Sequence, residues 1–99
     1  MNVTVRSAVY IADALGGRMI EVELNDGADI AELMAYLSET YGESFRNRIF
    51  HKDGSLKDGW FAVTLNGRNI FAYEGFGCSL KEGDDVLILP ALSGGRYSG

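Results

Sequence analysis

The sequence predicts an α+β domain in which a mixed sheet of about four to five strands packs one face on a single main helix. Three observations carry this. Ile20, Val22 and Leu24 alternate with Glu21, Glu23 and Asn25, the period-two pattern of a strand with one buried and one solvated acidic face. From Asp29 the period changes, and Ile30, Leu33, Met34, Leu37 and Tyr41 fall on one helical stripe while Glu32 and Glu39 point elsewhere. A last aliphatic run, Val86-Leu87-Ile88-Leu89, is closed by Pro90, which has no N–H to continue a ladder.

Taken in order, Val3 and Val5 open a strand that continues toward Val9, Gly16-Gly17 makes a turn, and residues 20–24 return, so the first two strands read as a hairpin. Asn25-Asp26-Gly27 ends the second strand with residues that tolerate positive φ. Asp29 caps the helix, Glu32 stands three residues later as in a capping box, and Gly42 supplies the residue that commonly follows a helix end; the helix is predicted over residues 30–41. Residues 43–59 read as a short helical turn followed by loops, because apolar Phe45, Ile49 and Phe50 give way to Lys52-Asp53-Gly54-Ser55 and Lys57-Asp58-Gly59. Phe61, Val63 and Leu65 alternate before Asn66-Gly67, a hairpin signal, and residues 69–72 return as a short strand. Leu80 to Asp85 form a turn into the last strand. Tyr36 and Tyr41 read as packing residues of the helix.

Ninety-nine residues support one modest core. Hydrophobic residues at 46% and charged residues at 23% match a folded globular domain, not a disordered chain. The net charge of −5 disfavours nucleic acid and anionic membrane surfaces and suits a partner with a basic docking face. Met1 to Arg6 lack a signal-peptide pattern and no window approaches a membrane span, so a cytoplasmic protein is expected. With one cysteine, Cys78, and one histidine, His51, the chain forms no internal disulfide and offers no zinc site of its own. Asp84, Asp85 and Glu74 have no metal-ligand spacing and read as a solvated turn. Neither a set of nucleophile, base and orienting group nor a phosphate-binding loop is visible, so no catalytic residue is assigned.

The most informative segment is the ending. Ser93-Gly94-Gly95 follows the last strand, and Arg96-Tyr97-Ser98-Gly99 follow in turn. A Gly-Gly pair has no Cβ atoms, so it can thread a narrow channel and present an unhindered acyl carbon. Extended, residues 91–95 reach about 16 Å, enough to pass from a docked globule into a recessed site. The organisation predicted is a globular domain over 1–90, a slim tail over 91–95 and an extension over 96–99.

Leu65-Asn66-Gly67, the Leu80-Lys81-Glu82-Gly83-Asp84-Asp85-Val86 turn, Leu89-Pro90, the Ser93-Gly94-Gly95 ending and the helix start at Gly27-Ala28-Asp29-Ile30-Ala31-Glu32-Leu33 resemble the ubiquitin-like β-grasp sulfur carriers. The likeness is to the small subunit of molybdopterin synthase and to the thiamin-pathway carrier, and it spans Val3 to Gly95. It implies a β-grasp fold and a non-enzymatic carrier whose terminal glycine is adenylated by a ubiquitin-activating-type adenylyltransferase and converted to a thiocarboxylate by a sulfur donor. Gly95 would be the loaded residue, with Leu92, Ser93 and Gly94 threading the tail. The carrier itself would bind no cofactor; ATP and magnesium belong to the activating partner, and the acceptor would be an enzyme such as a molybdopterin synthase large subunit. Adenylation is needed because a carboxylate is a poor acyl electrophile until it carries a good leaving group.

The usual carriers end at the second glycine, and this chain continues with Arg96. Two readings stand: a JAMM-type zinc protease or another protease cuts between Gly95 and Arg96, or the extension is retained. Function likewise has alternatives: a ubiquitin-like modifier joined through Gly95 to lysines, or a binding or regulatory subunit with an unprocessed tail. Phe71, Tyr73 and Phe76 form a docking patch in one reading, and two of them cover the open end of the sheet in the other. Cys78 reads as a small buried or half-buried apolar group, and Arg6 and Arg68 as pairing with acidic residues on a partner or as sheet-solvating charges.

Overall fold

The computed structural model describes residues 1–53, 57 and 61–90. The tail, 91–95, and the extension, 96–99, lie outside the described residues, as do Leu92, Ser93, Gly94, Gly95 and Arg96 within them.

Strand β1 (Asn2–Ser7) alternates inward Val3, Val5 and Ser7 with outward Asn2, Thr4 and Arg6. Helix α1 (Val9–Leu15) comes next, and β2 (Met19–Glu23) then pairs antiparallel to β1 with Val3 opposite Val22 and Arg6 opposite Met19. The pairing is as predicted, but the two strands are not a hairpin. Val9 begins a helix, not the end of a strand, because Ile11, Ala14 and Leu15 share one helical face that is buried in the core. Gly16 closes it at φ 78°, donating its N–H to the Ala12 carbonyl, a left-handed ending that costs glycine little.

Helix α2 (Ile30–Tyr41) starts where the sequence places it. The Asp29 carboxylate accepts the Glu32 N–H at 2.9 Å, and Ile30, Leu33, Met34 and Leu37 are buried. Tyr36 is exposed, so of the two helix tyrosines only Tyr41 packs against the core. The same helix start is tied to a distant loop: Ile30 N–H donates to the Cys78 carbonyl at 3.0 Å and Leu80 N–H to the Ala28 carbonyl at 2.9 Å. Helix α3 (Glu43–Ile49) extends the predicted short helical turn to seven residues and buries Phe45 and Ile49.

Strand β3 (Phe61–Leu65) and the two-residue β4 (Arg68–Asn69) form the Asn66-Gly67 hairpin, with φ 52° at Asn66 and 87° at Gly67, the paired positive values of a type I′ turn. The return strand ends at Asn69, whose side chain accepts the Phe71 N–H at 3.0 Å; Ile70–Ala72 and Gly75–Gly77 are 3-10 turns. Strand β5 (Asp85–Pro90) completes a five-stranded mixed sheet in the order β2-β1-β5-β3-β4, with β5 parallel to β1 and antiparallel to β3. The three helices of the described residues share one core with the inward residues Val3, Val5, Val22, Val63, Val86 and Ile88. Burying each of these aliphatic groups contributes about 1.5–3 kcal/mol relative to exposure. Among the described residues, no helix is long and apolar enough to cross a membrane.

Candidate functional site

With the helices on one side of the sheet, the outward residues form an open face. Asp85, Leu87 and Leu89 of β5 run down its middle, flanked by Thr4 and Arg6 of β1 and by Ala62 and Thr64 of β3. Register places Leu87 between Arg6 and Thr64, and Leu89 beside Ala62. One end of this face is polar and internally paired: the Thr4 hydroxyl donates to Glu21 at 2.7 Å, and the Arg6 guanidinium holds the Asp85 carboxylate, with Nε at 3.1 Å. That hydrogen bond and the adjacent negative charge raise the Arg6 pKa above its ordinary value. The opposite end carries half-buried Leu87, Leu89 and Ala62, and Pro90 follows. Apolar side chains on an uncovered sheet face, leading directly into the tail, are the strongest docking candidate of the described residues.

The start of β5 is locked in place. Asp84, only 7% exposed, accepts the Lys81 N–H at 2.8 Å and the Asn66 side-chain amide at 3.0 Å, while the Asn66 amide oxygen accepts the Asp85 N–H at 2.9 Å. The solvated acidic turn expected here is therefore half wrong. Asp84 is a buried acceptor that joins two turns, because it is the group able to satisfy both donors at once. Among the described residues no cluster of metal-ligating side chains forms.

Of the predicted patch, Phe71 and Phe76 are brought together, while Tyr73 meets Arg68 instead. Phe71 meets the buried Phe61 edge-on with centroids 6.4 Å apart and lies 5.8 Å from Phe76. Phe61 is opposite Pro90 in the ladder, so this aromatic group sits at the end of the sheet from which the tail departs. Phe76 is half-buried against the core, while Phe71 at 41% and Tyr73 at 62% exposure remain open to solvent. Arg68 stacks over the Tyr73 ring at 5.8 Å from its centroid, so it is engaged within the chain, as Arg6 is. Cys78 is half-buried against the core as expected.

The sequence reading missed Leu87, Leu89 and Ala62. Val86-Leu87-Ile88-Leu89 looks uniformly apolar, and only the strand period, applied with the knowledge that one sheet face is open, separates the outward pair from the inward one.

A mixed sheet wrapped on a helix layer, with an open apolar face feeding a Gly-Gly tail, defines a ubiquitin-like β-grasp protein of the carrier or modifier type. The crystal structure of SAMP1 from Haloferax volcanii has this fold: it superposes with a TM-score of 0.80 at 23% identity, covering 96% of this chain and 100% of that one. The chain belongs to the ThiS family, which it matches over residues 11–95. It is similar to a protein of Archaeoglobus fulgidus named for a sulfur carrier, 33% identical over 66 residues, 67% of this chain and 73% of the relative. It is also similar to small archaeal modifier protein 3 of Haloferax volcanii, 25% identical over 95 residues, 96% of this chain and 100% of the relative.

Proposed function

We propose that this chain is a sulfur carrier loaded at Gly95 after removal of residues 96–99. The observation that carries the proposal is the family match, which begins inside α1 and stops at Gly95, leaving Arg96 to Gly99 outside it. A carrier needs a free carboxylate at that glycine, and the Gly95-Arg96 peptide bond withholds it. Hydrolysis of that bond by a JAMM-type zinc protease or another protease releases the tetrapeptide and exposes the carboxylate. A ubiquitin-activating-type adenylyltransferase using ATP and magnesium then forms the acyl adenylate with loss of pyrophosphate. A hydrosulfide-equivalent nucleophile from a sulfur donor attacks the acyl carbon, AMP leaves, and a thiocarboxylate remains on Gly95. Delivery to an acceptor enzyme, such as a molybdopterin synthase large subunit, follows in the cytoplasm.

In this reading the chain's own part is positioning. Leu87, Leu89 and Ala62 seat the globule on the partner, Phe71, Tyr73 and Phe76 extend the contact at the sheet end, and Leu92, Ser93 and Gly94 thread the partner's channel. The similarity to an archaeal modifier protein over 95 residues supports a second use of the same activated glycine, in which a lysine amine of another protein attacks the adenylate or a thioester and an isopeptide forms.

Intact-mass spectrometry of the protein isolated from its native cells tests the proposal. The expected species ends at Gly95, with a fraction heavier by the difference between sulfur and oxygen. Full-length chain alone, in cells holding the activating enzyme and a sulfur source, refutes it. Lysine-linked Gly94-Gly95 remnants without any thiocarboxylate would leave only the modifier reading.

A further inference from the structure

Away from the sheet face, α2, α3 and the segment after α3 enclose a cleft of about 540 Å³ lined by Ser38, Glu43, Arg46, Asn47, Phe50, His51 and Lys52. Its charge is opposite to that of the molecule. The chain has 14 acidic against 9 basic residues, yet the described lining of the cleft carries two cations, Arg46 and Lys52, against one carboxylate, Glu43.

The ordinary reason for cations here would be the carbonyl end of α3, but that end is already served. The Arg46 carbonyl accepts the Phe50 N–H at 2.8 Å, the Asn47 carbonyl accepts Lys57 Nζ at 2.6 Å, and the Ile49 carbonyl accepts the Lys57 N–H at 2.8 Å. Arg48 reaches back to the Ser44 hydroxyl at 3.2 Å. Arg46 and Lys52 are exposed, line the cleft, and enter no ion pair among the described residues. Among the described residues, Glu43 is the one carboxylate that lines the cleft.

We infer that this cleft docks an acidic segment of a partner protein, on the helix side and therefore apart from the open sheet face. Charge complementarity selects the occupant. Arg46 and Lys52 supply cationic donors, Ser38 and Asn47 supply neutral hydrogen-bonding groups, and half-buried Phe50 gives an apolar floor for the methylene groups of Glu side chains. A nucleic acid fits poorly, because its charge continues past the cleft onto a surface bearing Glu39, Glu43 and Asp53. A bare phosphate also fits poorly, since among the described residues the cleft lining includes no glycine-rich loop of converging backbone N–H groups. The proposal does not depend on the state of Gly95.

The test is titration of the isotope-labelled full chain with a hexaglutamate peptide, followed by backbone amide shifts. Shifts should concentrate at Ser38, Arg46, Asn47, His51 and Lys52 and weaken as salt rises. The double substitution Arg46→Gln, Lys52→Gln should weaken binding by about tenfold, the combined size of two surface charge contacts, while Arg18→Gln leaves it unchanged. Shifts elsewhere, no loss on raising salt, or equal binding by the double variant overturn the inference. So does tighter binding of inorganic phosphate or of a single-stranded oligonucleotide in the same titration. The salt series on the unmodified chain keeps the test decisive if the variant folds poorly.

Discussion

The junction of Asn66 and Asp84 sets where β5 begins, and it gives a quantitative handle on the strand that carries the tail. Replacing Asp84 with Ala removes the acceptor of the Lys81 N–H at 2.8 Å and of the Asn66 side-chain amide at 3.0 Å. Bonds to a charged acceptor contribute about 1.5–3 kcal/mol each, but Asn66 and Lys81 are exposed and water recovers part of that, so a loss of roughly 2–3 kcal/mol is expected. In a domain of this length that corresponds to a melting point lower by roughly 10–20 °C. The partner substitution is Asn66→Gly, which removes the side chain while tolerating the φ of 52° that Ala would resist. It leaves the Asp85 N–H without its 2.9 Å acceptor. Since both substitutions break the same Asn66–Asp84 bond, the double variant should lose less than the sum of the singles, by about 1 kcal/mol. Urea denaturation of the four proteins measures this cycle. A loss below about 0.5 kcal/mol for Asp84→Ala, or strict additivity, refutes the view that this buried carboxylate holds the turn.

Leu37→Ala empties a fully buried site on α2 and should cost about 2–5 kcal/mol in the same assay, with the spread set by how far the core collapses. Leu89→Asp changes an outward residue, so it should leave the circular-dichroism spectrum unchanged while sharply reducing the rate at which a cognate activating enzyme adenylates the chain truncated at Gly95; an unchanged rate removes the open face as the docking surface. Arg6 has a pKa raised by Asp85, so what the guanidinium contributes is complete below its unfolded value and is lost only as pH rises through a folded value higher still. Between about pH 6 and pH 9 the stability difference between the native chain and Arg6→Gln should therefore be flat, and a slope in that window contradicts the assignment.

How much of this was readable in advance follows from what local sequence encodes. Helix α2 was readable because its cap, its stripe and its closing glycine all agree. Helix α1 was not, since Ala8 offers no side-chain cap and its first turn holds no acidic residue. With β-branched Val9 following an alternating strand, local pattern favoured continuation; only the spacing of Ile11, Ala14 and Leu15 argued otherwise. The aromatic trio was visible as a group, but its division of labour was not. Phe71 reaches Phe61 and Phe76 packs on the core, contacts that depend on where β3 places its first residue. The basic cleft was unreadable for a related reason, because Ser38 comes from a different helix than Arg46.

One strand unites the proposed docking face and the tail. Val86 and Ile88 point into the core, fixing β5 between β1 and β3, and the same alternation turns Leu87 and Leu89 outward. A partner that grips Leu89 therefore holds a rigid point six residues before Gly95, a span of at most about 20 Å when extended. That short tether limits where the acyl carbon can go and raises its effective concentration in a channel that opens at the right distance. Lengthening the tail by inserted glycines should then slow loading even though Gly94-Gly95 and the docking face are untouched. If insertion had no effect on that rate, delivery would depend on the glycines alone and the rigid strand would have no part in it.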